Sequence, residues 1–479
     1  MSPPAPPLLI RNAELDGRRT DVAVAGGRIV DIRPGSQGPS DLTRGGVIDA
    51  AGGVLLPGLH DHHLHLFGLA AARHSIGCGP PDVPTARALR ETLERAAGGP
   101  AVSWLRGVGY HESVAGDIDR DWLDDVVPHR PIRIQHRSGR LWILNSRALA
   151  LLPASQAGPL ERREGRLTGR LYDADPWLRQ QLRSDFPPLA DVCRELASYG
   201  ITGLTDASVS NGCTSFAHLA GLASDGVIPQ TLSIMGDATL SGIEGSERVA
   251  VGAFKLHLHE HALPELSSTA RDVAAAHDAG RVAAFHCVTQ AELVYALAVL
   301  DEAGPVAGDR LEHAAMVSPD LMHEVARRGL TVVTQPHFIL ERGDQYHRDI
   351  PVSEHGWLYR CASWHRMGVP LAAGSDAPYG STNPWIAMQA AVERRTREGR
   401  PLGDSEALQP EQALALYLTP LQNPAREPRR LQPGAAADLC LLDRPWRVAR
   451  NDLSAVRVSA TVCQGRIVAA GKNVRRAQE

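Results

Sequence analysis

Between residues 189 and 376 the chain switches repeatedly between two hydrophobic periods. Stretches with apolar residues three and four apart, as on a helix with one buried face, give way to short apolar runs bounded by glycine or proline, as in a buried strand. The pattern predicts helices near 189–199, 214–224, 268–279, 290–303, 319–328 and 354–367. It predicts strands near 201–206, 231–235, 251–258, 281–286, 310–313, 330–334 and 370–375. An earlier apolar run, Gly53-Val54-Leu55-Leu56, leads into an eighth strand placed over 54–65. Eight strands interleaved with helices imply a parallel (β/α)8 barrel.

The two ends of the chain read differently. Short runs at 8–10, 21–24 and 27–32, with Gly26-Gly27 as a two-residue hairpin turn, have no helices between them. Runs at 437–443, 456–462 and 464–468 repeat that texture. A gap of roughly 120 residues after the first barrel strand is far longer than an ordinary βα connection and calls for an inserted domain. It contains strand-like pieces at 102–110 and 131–136 and a helix beginning near 145–150.

Composition narrows the partners. A net charge of -4 without a long basic run gives nucleic acid and anionic membranes no obvious target, and no apolar run reaches membrane-spanning length. Residues 2–7 are proline-rich and lack the charged and apolar regions of a signal peptide, so a flexible leader and a cytoplasmic location are expected. The seven cysteines are odd in number and lack a CxxC pair, which speaks against a disulfide framework. Cys287 follows His286 on the other strand face and is expected to pack.

One imbalance bears on chemistry. Of 50 basic residues only Lys255 and Lys472 are lysine, and Lys255 ends a buried strand. Arginine stays charged, whereas a buried lysine can lose its proton and react with carbon dioxide to form a carbamate able to bridge two metals. The alternative is a buried lysine paired with an acid.

The candidate chemistry starts at Pro57-Gly58-Leu59-His60-Asp61-His62-His63-Leu64-His65. In a strand His63 and His65 project to one side about 7 Å apart, so both imidazoles can hold one divalent metal. Further donors end later strands: Lys255, His286, His313 and Asp376. These are C-terminal strand ends, where such barrels keep their active sites. His257 and His259 share a face with Lys255 and either line the mouth, bind substrate or replace a ligand. His60 and His62 face the other way and are expected to pack.

The segments PGLHDHHLHL, GITGLTDAS (200–208), FKLHL (254–258), AFH (284–286), RLEHAAMVSP (310–319), TVVTQPHF (331–338) and GSDAP (374–378) resemble the amidohydrolase superfamily. The resemblance is closer to its YtcJ-like branch, which includes the N-substituted formamide deformylases. It implies an α/β fold: a (β/α)8 TIM-like barrel (57–75 and 189–425), a small β-sandwich from both chain ends (1–56 and 426–479), and an α/β insertion over the active site (76–188). It implies His63, His65 and Asp376 on one metal, His286 and His313 on a second, and a carboxylated Lys255 between them. Zinc is the expected ion, one or two per chain. Asp376 is the implied proton carrier and Asp61 a carboxylate that orients a ligand, a role also open to Glu312 and His337.

The implied activity is metal-dependent hydrolysis of a non-peptide carbon–nitrogen bond in a small-molecule amide or formamide. Deamination, or hydrolysis of a carbamate, ester or lactone, is the alternative on the same scaffold, and a metal-free binding scaffold is a third reading. Superfamily deaminases commonly lack the strand-4 lysine, so Lys255 favours the amidohydrolase. A homodimer is expected by resemblance alone. The chain departs from the branch at Ser138-Gly139-Arg140-Leu141-Trp142-Ile143-Leu144-Asn145, where an Asp and a His are replaced, and at Cys287-Val288-Thr289. Arg140 could there bind a substrate carboxylate, and the substrate pocket is expected not to be the common one.

Overall fold

The computed structural model describes residues 5–35, 46–98, 104–152, 159–182 and 186–471. The chain forms two compact units, Met1–Leu66 with Leu189–Glu479, and Phe67–Pro188.

In the first unit eight parallel strands follow one another in sequence order around the sheet. They are β1 (Leu59–Leu64), β2 (Ile201–Asp206), β3 (Thr231–Gly236), β4 (Val249–His257), β5 (Ala283–Cys287), β6 (Arg310–His313), β7 (Thr331–Thr334) and β8 (Leu371–Ala373). The sheet closes just past the ends of β8 and β1. Asp376 N donates to His63 O (2.7 Å), His65 N to Ala377 O (2.8 Å) and Ser375 N to Asp61 Oδ1 (3.0 Å). Gly374 makes this seam possible, because a Cβ there would overlap the backbone of His63.

The run 54–65 is not one strand. Leu55–Pro57 pairs antiparallel with Leu439–Leu442, and only from Leu59 does the chain enter the barrel. Gly58 is the joint: its N–H reaches Asp438 O, and a side chain there would strike Thr202. The apolar lead-in therefore belongs to a neighbouring sheet, ordered Arg466–Ala470, Val458–Cys463, Leu439–Leu442, Leu55–Pro57. A second four-stranded sheet holds Arg28–Pro34, Arg18–Ala25, Leu8–Leu15 and Gly46–Asp49 in that order. Ile10, Val22 and Ile29 of one sheet share a core with Leu55, Leu439 and Val462 of the other. The hairpin turns at Gly26-Gly27, both at positive φ.

Two helical expectations change. The segment 354–367 is a 3-10 turn, Val352–Trp357, and a short helix, Cys361–Arg366, separated where Tyr359 takes φ +45°. A helix not foreseen, Phe338–Asp349, precedes them; its Gly343 and polar run hide it in the sequence, but Gly343 sits against Thr396 and Leu402, where a Cβ would not fit. No helix among the described residues is long and apolar enough to cross a membrane. All seven cysteines are free thiols.

The second unit is α/β. Its six-stranded sheet runs Leu160–Arg163, Arg166–Tyr172, Leu141–Leu144, Ile132–His136, Leu105–Tyr110, Ile76–Gly77. Leu89 and Leu93 of the helix Ala86–Ala97 share a buried core with Leu105, Ile132 and Ile134 of the sheet. The predicted strand 102–110 is seen from Leu105; residues 102 and 103, like residues 1–4 of the leader, lie outside the described residues.

Candidate metal centre

Three donors meet at the seam. His63 Nε2 lies 3.4 Å and His65 Nε2 3.3 Å from the same oxygen, Asp376 Oδ1. A tetrahedral ion bound at about 2.0–2.1 Å keeps its donors roughly 3.3 Å apart, so the spacing suits one cation. Asp376 holds φ +52°, a left-handed conformation that costs a non-glycine residue about 1–3 kcal/mol and is characteristic of functional positions. Burial works against the charge on Asp376, yet hydrogen bonds with His63 and His65 hold the carboxyl well below its ordinary range.

Three of the candidate rings, His63, His65 and His313, are fixed from behind. His63 Nδ1 bonds the buried Glu312 carboxylate, which Arg310 Nη2 also reaches at 3.2 Å, while Arg310 Nη2 donates to His62 O at 2.9 Å. Burial would neutralise Glu312; Arg310, Lys255 and His63 outweigh it and keep the carboxyl well below the usual carboxylate range. His65 Nδ1 meets Ser208 Oγ at 3.0 Å and His313 Nδ1 meets Gln335 Oε1 at 2.7 Å. A ring whose Nδ1 proton is held in this way presents Nε2 as the metal donor. Asp61, buried, accepts from the N–H groups of His63 and Ser375, tying β1 to the loop after β8.

His313 solves a parity problem. Side chains alternate faces along β6, so Glu312 and His313 should point apart. At His313 φ is +72° and at Ala314 +43°, so the strand breaks its extended conformation at this histidine. The His313 ring then stands 4.8 Å from that of His63 and 4.5 Å from that of His286. Burial pushes the His313 imidazole down to about 3 and that of His286 well below its ordinary value. Neutral imidazole is the ligand form. Lys255 on β4 is buried, its Nζ has no hydrogen-bond partner, and burial lowers its pKa.

The remaining candidates are placed as follows. His257, exposed at the end of β4, has its ring 4.4 Å from both His286 and His259. His337 Nε2 is 3.0 Å from Ser375 O, behind Asp376. His60 and His62 face outward and pack on the segment after β8: His62 Nε2 and Thr419 Oγ1 hydrogen-bond at 2.9 Å, and His60 Nδ1 donates to Thr419 O at 2.9 Å. Arg140, in the second unit, makes a bidentate pair with Asp173 at 2.8 and 2.6 Å. In the same unit Asn145 is buried and caps the helix Ser146–Leu149, accepting from Ala148 N at 2.9 Å. Sequence reasoning missed Arg310, Ser208 and Gln335. Only Arg310 left a trace, its i, i+2 spacing to Glu312 on one strand face.

A cavity of about 410 Å³ opens over residues that directly follow β5 and β6. Val288, Ala315, Met316, Ile350 and Leu358 give it an apolar lining, with Thr289 and Glu260 as polar points.

Comparison with known proteins bears on this geometry. Residues 46–469 match the family described as "Amidohydrolase family". The N-substituted formamide deformylase of Arthrobacter pascens is 26% identical, over 93% of this chain and 94% of its own. The YtcJ protein of Bacillus subtilis (strain 168) is 22% identical over 88% and 90%. The crystal structure of a metal-dependent hydrolase from Pyrococcus horikoshii OT3 superposes with a TM-score of 0.74 at 19% identity, covering 93% of this chain and 99% of that one. The chain belongs to the amidohydrolase family, on its YtcJ-like branch, and is a hydrolase of carbon–nitrogen bonds other than peptide bonds.

Proposed function

We propose that the barrel mouth cleaves the carbon–nitrogen bond of a small amide or formamide bearing an apolar substituent, with two divalent ions, zinc by preference, held by this chain. The observation that carries the reading is the convergence of His63 Nε2, His65 Nε2 and Asp376 Oδ1. The unpartnered, buried Lys255 amine supports the second ion. His63, His65 and Asp376 would hold one ion and His286 and His313 a second, with Lys255, once carboxylated, as a further donor to them. A lysine whose pKa burial has lowered offers a neutral amine that can attack the carbon of carbon dioxide; with loss of one proton to solvent, the carbamate so formed would place an anion among these side chains.

Bound ions supply Lewis acidity, bringing the pKa of water toward neutrality and polarising a carbonyl. Asp376 accepts the proton of the attacking water and passes it to the leaving nitrogen, acting as base and then as acid. Glu312 and Ser208 keep His63 and His65 oriented through the cycle. The apolar cavity after β5 and β6 receives the substituent. The formamide deformylase relative supports a formyl or short acyl group on the other side of the scissile bond.

The test compares wild type with Lys255→Ala for metal per chain and for turnover of N-formyl, N-acyl and cyclic amides. Lys255→Ala should lose up to two metal equivalents together with at least about a hundredfold of activity. Metal and turnover unchanged by the substitution would remove the lysine bridge.

A further inference from the structure

The unit Phe67–Pro188 carries a second convergence of donors, unrelated to the barrel ligands. Parallel strands Leu105–Tyr110 and Ile132–His136 lie side by side, with Tyr110 opposite His136. Both chains leave the sheet at this end through the same tripeptide pattern, His-x-Ser: His111-Glu112-Ser113 and His136-Arg137-Ser138. The carboxyl ends of neighbouring strands in an α/β sheet are where such sheets bind ligands.

Here the donors point at one another. His136 Nε2 is 2.9 Å from Glu112 Oε2, and His111 Nε2 is 3.6 Å from Glu112 Oε1. One atom from each residue lies within 4.8 Å of the other two; among the described residues only His63, His65 and Asp376 form another such group. The imidazoles stack with centroids 5.7 Å apart. Their side chains are 17% and 16% exposed and that of Glu112 63%, so the group is anchored on the sheet and open on one side.

We propose that His111, Glu112 and His136 form a binding site for a divalent transition-metal ion of the zinc class, separate from the barrel centre. Two imidazoles and one carboxylate suit zinc, nickel or copper better than calcium or magnesium, which prefer oxygen alone. The gaps of 2.9 and 3.6 Å, which run to the two different oxygens of Glu112, each lie within about 0.4 Å of the roughly 3.3 Å edge of a tetrahedral site. Both rings also have a built-in partner for the other nitrogen: Nδ1 of His111 and of His136 is 2.8 Å from the hydroxyl of Ser113 and of Ser138 respectively.

Taking an ion on Nε2 changes the tautomer of each ring. The N–H groups of Ser113 and Ser138 also lie 3.2 and 3.1 Å from the same Nδ1 atoms, which without an ion leaves the ring proton on Nε2 and directs it to Glu112. An ion on Nε2 requires the proton on Nδ1. A serine hydroxyl can turn from donor to acceptor and take the Nδ1 proton, while the backbone N–H of Ser113 or Ser138, a donor only, has to give up that nitrogen, so ion binding goes with a small shift of each His-x-Ser turn. Water or an exogenous donor completes the open side.

The test uses the full-length chain, incubated with excess zinc, desalted, and assayed for zinc per chain and for affinity by titration against a chromogenic chelator. His111→Ala/His136→Ala should lose one zinc equivalent relative to wild type. Glu112→Gln, an exposed change that leaves the fold intact, should weaken that equivalent at least about tenfold, and Ser113→Ala/Ser138→Ala should weaken it by about tenfold. Lys255→Ala should retain it. Wild-type zinc content and affinity in folded Glu112→Gln overturn the site and reduce the cluster to a surface ion pair. Loss confined to Lys255→Ala overturns it while leaving the barrel centre standing.

Discussion

Two His-His-carboxylate groups in one chain allow a direct comparison of what makes a reactive centre. At the barrel mouth the side chains of His63, His65 and Asp376 are 1%, 21% and 10% exposed, and behind them lie a buried carboxylate and a buried lysine. In the inserted unit the carboxylate is mostly exposed and both rings rest on serine hydroxyls. The donor types are the same and the surroundings differ. A carboxylate behind an imidazole raises its basicity more than a hydroxyl does, and burial excludes the water that would screen the charges. On the proposed assignments the barrel centre suits tight binding and chemistry, the other exchangeable binding.

The largest effect is expected from the carboxylate at the barrel seam. Asp376→Asn removes a ligand and the proton carrier together, and kcat should fall by about 10³-fold or more. Retention of more than a tenth of wild-type kcat would take Asp376 out of the proton path. Glu312→Gln sharpens the comparison, because it turns the support of His63 from carboxylate to amide. Metal affinity in the barrel should drop by about 10–100-fold in a chelator titration. An unchanged affinity would show that the carboxylate behind His63 adds nothing over the hydroxyls of the inserted unit.

Acid separates buried rings from ordinary ones. The metal-free fold holds His313 at about 3 and His60, His62 and His286 well below their ordinary value, all through burial. In the unfolded chain these rings protonate near 6.5. Between those values the unfolded state binds more protons, so the stability that neutral rings contribute is full above about 6.5 and is lost as pH falls toward 3. Thermal melting of metal-free protein should move down on the order of 5 °C between pH 7 and pH 5. His313→Gln should flatten the slope; a melting temperature independent of pH would refute the buried neutral rings. The smallest change is Ser208→Ala, which removes only the hydroxyl behind His65. A loss of metal affinity below about tenfold is expected, measured as for Glu312→Gln.

Much of the barrel was legible because its strands are short apolar runs with polar donors at their C-terminal ends. His63, His65, Lys255, His286, His313 and Asp376 could all be picked out as residue types at those ends. What was hidden depends on three-dimensional neighbours. Leu55 and Leu56 are as apolar as the residues of β1, so nothing local says that they join a different sheet at Gly58. Face alternation gives the wrong side for His313, since the left-handed turn there has no glycine to announce it. Ser208 and Gln335 are ordinary polar residues until the fold brings them behind a ligand. The residues His111, Glu112 and His136 were passed over for a related reason: 24 positions separate Glu112 from His136, and only the parallel pairing of two strands brings them together.

The seam between the first and last barrel strands links Asp61 to Ser375 across 314 positions of sequence, and the donors His63, His65 and Asp376 straddle it. During synthesis the histidines leave the ribosome early and wait for nearly the whole barrel before their carboxylate arrives. A nascent chain stopped before β8 has no complete inner site to fill. Stable metal uptake at that position thus reports that the ring of strands has closed, and nascent chains of increasing length would show it as a step, not a gradual rise.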